Sequence, residues 1–307
     1  MFTRKLVTLS LSLLPLLYRQ AACAPPPSHC TSTTGERWEI LQPLGGGPRQ
    51  EHAAVALDSK IYVIAGIEPD ASQPTGVSTI SSVEVYDVQQ DTWSYAAPLP
   101  IPMNHANVAT VNGKVYVLGG LSGGEAFRAL PNSYEYNPST DKWTELSPMP
   151  AGTERGSSIL GVTGDTIIVA GGGVVGSNFY VVGGRFLGQV NVRDTVYALN
   201  LKTLRWRELA RMPTPRGGVS VAIVGHRIYT FGGEGNLAPE AGFVFNETEV
   251  YDIKENCWQR LSPMNTPRHG MAAVTVNETI YTPGGGTRDF AVLDNMEAFH
   301  PGCLGGF

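Results

Sequence analysis

The feature that most constrains this chain is a strand motif that recurs about every fifty residues. Six short apolar stretches each end in a pair of small residues, and the last glycines of these pairs stand at positions 66, 120, 172, 184, 233 and 285. The gaps between them are 54, 52, 12, 49 and 52 residues. A period near fifty residues predicts a repeat fold, in which each unit buries its apolar face against its neighbour.

Each repeat contains further strands after its glycine pair. A tyrosine-bearing strand comes next, as at Tyr86 and Tyr251, and in the repeat after Gly184 its tyrosine is Tyr197. A tryptophan strand follows, as at Trp93. One unit is thus four short strands separated by turn residues, which predicts an antiparallel propeller blade. Glycine suits the end of a strand where a Cβ atom cannot be accommodated.

These residues make the chain resemble the kelch-repeat family, whose signature is a strand-terminal Gly-Gly, a later Tyr and a Trp. The resemblance covers roughly residues 36 to 303 and implies an all-β fold, a kelch-type β-propeller with blades around a central channel. The secreted, galactose-oxidase-like type of propeller is the closest kind that it suggests. With 36 glycines, 22 prolines and 16% charged residues among 307, the composition fits one compact, turn-rich domain.

The two ends of the chain are expected to complete one blade together. The last repeat has its glycine strand and its Phe299 strand but no tryptophan strand after them, whereas Trp38 lies in a strand that precedes the first repeat. The simplest solution makes the Trp38 strand the outer strand of the last blade. Closure of the ring would then remove exposed sheet edges, which favour aggregation.

The gap of 12 residues between Gly172 and Gly184 is too short for a blade. A normal repeat places about forty more residues there, so Gly172 is followed almost at once by the end of the next first strand. The sequence predicts five blades plus a stray strand from a six-bladed ancestor, with residues 161–186 as the least regular part of the ring. A splice variant, a wrong gene model, a real deletion and an adapted five-bladed ring are the alternatives.

The amino terminus has the pattern of a secretory signal. Arg4 and Lys5 precede a short apolar run from Leu6 to Leu17, and small residues follow it. This pattern predicts a signal peptide at residues 1–22, a linker at 23–35, the propeller at 36–303, a tail at 304–307, and a secreted protein. Sequons at Asn246 and Asn277 are compatible with glycosylation on that route.

The cysteines predict a closing disulfide rather than a metal site. Cys30 precedes the Trp38 strand and Cys303 follows Phe299, so closure of the last blade would bring Cys30 and Cys303 together. The alternatives are a free Cys303 and a Cys30–Cys23 pair, and Cys257 is expected to be unpaired. Kelch-type copper oxidases need a Cys–Tyr crosslink and Tyr and His ligands, a set that cannot be placed here. The four cysteines and six histidines show no metal-binding spacing, so no metal and no cofactor are predicted.

Polar residues that precede the first strand or follow the glycines of each blade should gather at one channel mouth. The predicted ligand-binding residues are Arg49, His52, His105, Arg155, Arg185, Arg216, Glu234, Arg268 and His269. Arginine presents a planar fork that suits carboxylates and phosphates, although Arg216 and Arg268 could equally bond to backbone carbonyls within the ring.

Two classes of function fit this face. The first is a secreted monomeric binding module for a small anionic or polar molecule, a glycan or a protein. The second is a cofactor-independent isomerase, epimerase or cyclase that uses the same basin. A net charge of −5 argues against nucleic acid as a partner, and no segment after the signal is apolar enough to insert stably in a membrane.

Overall fold

The computed structural model describes residues 35–123, 127–163, 166–170, 173–184, 192–235, 244–287 and 291–302. Within these ranges the chain forms antiparallel strands joined by turns, and no helix there is long and apolar enough to cross a membrane. The strands are, in chain order, β1 (Arg37–Leu41), β2 (Ala53–Leu57), β3 (Lys60–Pro69), β4 (Val77–Asp87), β5 (Thr92–Ala96), β6 (Val108–Val111), β7 (Lys114–Leu121), β8 (Ala129–Asn137), β9 (Lys142–Leu146), β10 (Ile159–Thr163), β11 (Thr166–Ala170), β12 (Gly173–Val175), β13 (Asn178–Val182), β14 (Val196–Asn200), β15 (Arg205–Glu208), β16 (Ser220–Val224), β17 (Arg227–Phe231), β18 (Thr248–Asp252), β19 (Cys257–Arg260), β20 (Val274–Val276), β21 (Thr279–Pro283) and β22 (Met296–His300).

The strands form five four-stranded blades and one two-stranded sheet. Blade 1 is β2–β5, blade 2 is β6–β9, blade 3 is β12–β15, blade 4 is β16–β19, and blade 5 is β20–β22 completed by β1. Between blades 2 and 3 lies a half-blade made of β10 and β11. The first strands lie side by side: β2 beside β6, β6 beside β10, β10 beside β12, β16 beside β20, and β20 beside β2. The predicted five-bladed kelch-type propeller is confirmed. The predicted stray strand is β11, which pairs with β10 in the half-blade.

Ring closure by the amino-terminal strand is also confirmed. Strand β1 pairs antiparallel with β22, and Trp38 lies opposite Phe299 in the register. The two rings are 5.0 Å apart between centroids, and the edge of Trp38 also meets Phe231 of blade 4 at 5.6 Å. Burial of this aromatic cluster holds the two ends of the chain in one sheet.

The glycine pairs lie where two blades approach each other most closely. Gly232 has a φ of +56°, and a Cβ atom there would stand 2.2 Å from the backbone oxygen of Arg268 in blade 5. Gly233, with a φ of +103°, donates its N–H to that same oxygen over 2.8 Å. A side chain at Gly232 would push the blades apart, which explains why each repeat ends its second strand in small residues.

Each outer strand is fastened to the preceding blade by its tryptophan. Trp143 of blade 2 donates its indole N–H to the carbonyl of Ala97, beyond blade 1, over 2.8 Å. Asp141, two residues earlier, accepts the N–H of Ala97 and the hydroxyl of Tyr136, both at 2.8 Å. Equivalent tryptophan bonds are made by Trp38, Trp93 and Trp258. These bonds satisfy backbone groups that would otherwise be left unpaired between blades.

Blade 3 departs from this pattern. The residue opposite Trp206 in the register is Leu199, so Tyr197 stands two positions away from the place that a tyrosine takes in blades 1, 2 and 4. Leu204 replaces the aspartate or asparagine of the other blades and keeps its positive φ, +56°. Tyr197, Leu204 and Trp206 are 36%, 72% and 55% exposed. The irregularity predicted near the short gap therefore extends onto the face of blade 3.

Four apolar clusters make up the core, and each fills the interface between two complete blades. Tyr62 and Tyr136 mark the cluster between blades 1 and 2, and Tyr180 with Trp258 mark that between blades 3 and 4. The other two clusters join blade 4 to blade 5 and blade 5 to blade 1. Among the described side chains no such cluster lies beside the half-blade.

Candidate functional site

Three of the predicted arginines are buried supports of their own blades. Arg49, Arg216 and Arg268 are at most 2% exposed. Arg216 donates to the carbonyls of Gly232 and Glu247, and its other terminal nitrogen lies 2.8 Å from a carboxylate oxygen of Glu249. Burial lowers the pKa of Arg216 and the charge of Glu249 opposes that shift. These bonds occupy both terminal nitrogens of the guanidinium, so it serves as an internal tie.

The carboxylate partners of these arginines come from the third strands and were not predicted. Arg49 meets Glu84 at 2.5 Å, and Arg268 is bonded to Glu297. In blades 1 and 4 the glutamate stands two residues before the strand tyrosine, and in blade 5 it stands two residues before Phe299. That spacing, together with an arginine at the start of the same repeat, is the signal that could have identified the pairs.

The channel mouth is bordered by a row of residues with left-handed backbone conformation. Glu51, His105 and Ser157 have φ values of +52°, +49° and +53°, and Gly218 and Gly270 hold the same place in blades 4 and 5 at +60° and +59°. The row is joined by backbone bonds, because Glu51 donates to Gly270, His105 to Glu51 and Ser157 to His105 over 2.6, 2.8 and 2.9 Å. A left-handed non-glycine residue costs about 1–2 kcal/mol, and such strain is commonest at functional sites.

Glu51 and His105 form the ionisable pair of this row. His105 Nε2 lies 2.8 Å from a carboxylate oxygen of Glu51, and its Nδ1 lies 2.7 Å from Asn104 Oδ1. Both ring nitrogens therefore lie within hydrogen-bond distance of a side-chain oxygen, which fixes the orientation of the ring. The amide of Asn104 in turn donates to the hydroxyl of Thr79 over 2.9 Å. The pair is only partly covered, at 14% exposed for His105 and 22% for Glu51.

An open cleft of about 730 Å³ adjoins this pair. Its walls are the long hairpin β3–β4 of blade 1 and the loop that follows β7 in blade 2, and they include Ile67, Thr79, Pro102 and Phe127. Thr79 is the residue that holds Asn104, and the ring of Phe127 lies 5.5 Å from that of His105. A concave, partly apolar space with a few fixed polar groups at its end is typical of a ligand site.

A second polar group at the mouth has no partner among the described residues. Gln50 is 1% exposed, and neither its Nε2 nor its Oε1 has a hydrogen bond there. Its Oε1 is 2.0 Å from where a Cβ atom of Gly286 would stand, and His269 Cε1 is 3.2 Å from the same point. Buried amides are normally hydrogen-bonded, so water or a ligand is expected at this place.

The remaining predicted site residues differ in their exposure and in their contacts. His52 is 6% exposed, and burial, helped by the charge of Arg49, lowers its pKa to about 3. Glu234 is buried and pairs through its backbone with Gly217. Arg155 is exposed, and Arg185 lies outside the described residues. Whether the predicted residues contact a ligand stays a prediction. The structure brings His105 and His269 to the mouth, together with Gln50 and Glu51, which are not among the predicted ligand-binding residues.

Of the cysteine predictions, only the one for Cys257 concerns a described residue. Cys257 is disulfide-bonded, so the expectation that it is unpaired is wrong. Cys30 and Cys303 themselves lie outside the described residues. Within the described ranges no group of three or more His, Cys, Asp or Glu side chains is arranged to hold a metal ion.

Comparisons with known proteins agree with the fold. The Kelch motif family matches residues 48–100 and 102–150, and the KLHDC2/KLHL20/DRC7 Kelch-repeats domain family matches residues 173–302. The half-blade, between residues 150 and 173, is covered by neither match. A solved structure titled "Structure of YjhT" aligns with 84% of each chain at 17% identity and a TM-score of 0.47.

Curated relatives extend the similarity along the chain. Kelch-like protein 23 of Homo sapiens is 26% identical over 82% of this chain, which spans 40% of that relative's length. Kelch-like protein terF of Aspergillus terreus is 34% identical over 337 aligned positions that cover 93% of this chain and 72% of that protein. Because 93% of 307 residues is about 286, about 51 of those 337 positions hold no residue of this chain. With this degree of identity and coverage, the chain belongs to the kelch-repeat family.

Proposed function

We propose that this chain is a binding propeller that takes a small, partly apolar molecule with a hydrogen-bonding group in the mouth cleft between blades 1 and 2. The observation on which the proposal depends is the contact of the cleft walls with a fixed polar pair. Thr79 and Phe127 line the cleft and also touch Asn104 and His105, which is bonded to Glu51. Apolar walls would hold the body of the ligand, and the polar pair would orient it.

The distribution of charge favours a polar ligand over a strongly anionic one. The guanidinium groups of Arg49, Arg216 and Arg268 are bonded to Glu84, Glu249 and Glu297 inside the blades. A buried ion pair has little residual attraction for a third charge, because each member already balances the other. At the mouth, the buried amide of Gln50 offers donors and an acceptor that suit a neutral polar group.

Binding is favoured over catalysis by the bonding of His105. A general base needs a free lone pair within reach of the substrate. Both nitrogens of His105 are engaged by side chains of the protein, Glu51 Oε2 and Asn104 Oδ1, so neither is directed at the cleft. Kelch propellers typically serve as binding modules, and this arrangement is consistent with that role.

A fragment screen by ligand-observed NMR tests the proposal. Neutral and anionic fragments are compared on the wild type, on Phe127→Ser, and on Ile40→Ala as a control, since Ile40 is 76% exposed on blade 5. We expect neutral polar fragments with an apolar part to bind the wild type and the control and to lose affinity for Phe127→Ser. Hits that bind all three proteins equally would contradict the assignment of the cleft.

The secretory route is proposed separately, on the signal-like residues 1–22 and the two sequons. Residues 1–34 lie outside the described residues. Asn277 is exposed in the turn between β20 and β21 and could accept a glycan, whereas the amide of Asn246 is half-buried and donates to the carbonyl of Met264 over 3.4 Å. Expression with and without residues 1–22, followed by assay of the medium, tests the route.

A further inference from the structure

Among the described residues the half-blade has only its first two strands, whereas each of the other blades has four, and the groups that two outer strands would contact are still present. Strand β11 pairs along one edge with β10 and has no partner along its other edge among the described residues. An unpaired strand edge presents a row of N–H and C=O groups that can bind another strand. The position is the same as that at which β3 of blade 1 receives β4.

Arg155 is the first group left without its usual partner. It stands two residues before Ser157 in the left-handed row, as Arg49 stands before Glu51 and Arg268 before Gly270. Its Nε donates to the carbonyl of Thr153 over 2.9 Å, and it forms no ion pair with a described residue. In blades 1, 4 and 5 the matching arginine binds a glutamate of the third strand, which is the strand that the half-blade lacks.

Trp206 is the second such group. The other four strand tryptophans donate their indole N–H to a carbonyl at the end of the preceding blade's outer strand. For Trp206 the preceding unit is the half-blade, because β10 lies beside β12, and its Nε1 has no acceptor among the described residues. Tyr197 and Leu204 on the same blade leave further apolar surface exposed. An exposed aromatic group of this kind is uncommon unless a partner covers it.

We propose that the open flank between the half-blade and blade 3 is a docking site for a β-hairpin of another polypeptide that carries a carboxylate on its first strand. This occupant follows from the unpartnered groups themselves. The edge of β11 can pair with an antiparallel strand, and Arg155 can form an ion pair with a carboxylate. Trp206 can donate its indole N–H to a carbonyl that lies beside apolar side chains. The site is separate from the mouth cleft and does not depend on the function proposed for it.

A complete blade defines the size of this occupant. In blade 1 the third and fourth strands, β4 and β5, run from Val77 to Ala96. A hairpin of one third strand and one fourth strand added to β10 and β11 would give the half-blade the four strands of the other blades, and the donor would complete a sixth blade.

The probe is a hairpin taken from this propeller. A peptide that copies residues 82–97, with Trp93→Phe and its ends joined by a D-Pro-Gly turn, presents Glu84 and the carbonyl of Ala97 as blade 1 does. The peptide is cyclised because an isolated hairpin is only marginally stable in water. Binding is measured by calorimetry and by the shift in tryptophan emission of the full chain.

We expect saturable binding that raises the melting temperature and shifts the emission to the blue. Arg155→Met, Trp206→Leu and a Glu84→Gln peptide should each weaken binding about tenfold or more, since a charge-assisted bond is lost or an apolar contact removed. Arg155→Met combined with the Glu84→Gln peptide should lose little more than either alone, because both remove one ion pair. Ile40→Ala, an exposed position on blade 5, should bind as the wild type does.

Other outcomes would overturn the proposal. Circular dichroism first shows that each variant is folded, which is expected because Arg155 and Trp206 are exposed. Absence of peptide binding to the folded wild type, or binding that neither variant weakens, would remove the docking site. A concentration-dependent dimer that Trp206→Leu abolishes, with no peptide binding, would assign the flank to a second copy of the chain instead.

Discussion

Acid should destabilise this propeller through one buried histidine. His52 directly precedes β2 with 6% of its surface exposed, and Arg49, Glu51 and Arg268 are the charged groups that act on it. Burial, and after it the charge of Arg49, lowers its pKa to about 3. An unfolded histidine has a pKa of about 6.5, so the unfolded chain binds the extra proton at every pH between these two values.

The sign and the size of the effect follow from that difference. Because the unfolded state holds more protons between about pH 6.5 and 3, the free energy of unfolding falls as the pH is lowered through this window. The stabilisation from the neutral ring is fully present above pH 6.5. Between pH 7 and pH 5 the loss from His52 alone is about 2 kcal/mol.

Urea unfolding at pH 7 and pH 5 isolates this contribution. The wild type and His52→Gln are unfolded at both values, and the quantity of interest is the change in unfolding free energy between them. Since the other histidines titrate alike in both proteins, we expect the wild type to lose about 2 kcal/mol more than the variant. Equal losses, within about 0.5 kcal/mol, would show that His52 is protonated in the folded protein and refute the reasoning.

Three further predictions concern the ties between and within blades and the sequons. Arg268→Met should lower the free energy of unfolding by about 3–5 kcal/mol, because it leaves Glu297 buried without its partner. Arg155→Met at the matching position is the control and should change the free energy of unfolding by less than about 0.5 kcal/mol. Equal effects of the two substitutions in chemical denaturation would contradict the structural role of the Arg268–Glu297 pair. Asp141→Ala should cost about 1–3 kcal/mol, since the N–H of Ala97 and the hydroxyl of Tyr136 lose their acceptor, and Leu204→Ala, its counterpart in blade 3, is the control with a change of less than about 0.5 kcal/mol. Peptide mass spectrometry of protein made in a secretory host should find a glycan on Asn277 and none on Asn246; modification of Asn246 in a folded protein would show that its bond to Met264 does not protect it.

The repeat itself was determined by the sequence. Glycines at a fifty-residue spacing, with tryptophans such as Trp93 and Trp143 between them, require a unit of four short strands, because small residues and aromatic residues recur at fixed places in each strand set. The number of strands in each repeat also predicted that the Trp38 strand belongs to the last blade and that the irregular part of the ring lies near Gly172. These features are local, and the pattern of each strand is enough to reveal them.

The roles of the polar residues were decided by tertiary structure alone. The sequence places Arg49, Arg155 and Arg268 at equivalent positions, yet Arg49 and Arg268 are buried against glutamates that lie 35 and 29 residues later, and Arg155 is exposed. The difference arises from a strand that the half-blade lacks, which is a neighbour in space and not in the chain. Glu51 and His105 likewise stand 54 residues apart and meet because consecutive first strands lie side by side around the channel. Packing between blades, which no single repeat records, therefore decides which charges are internal ties and which remain open to a partner.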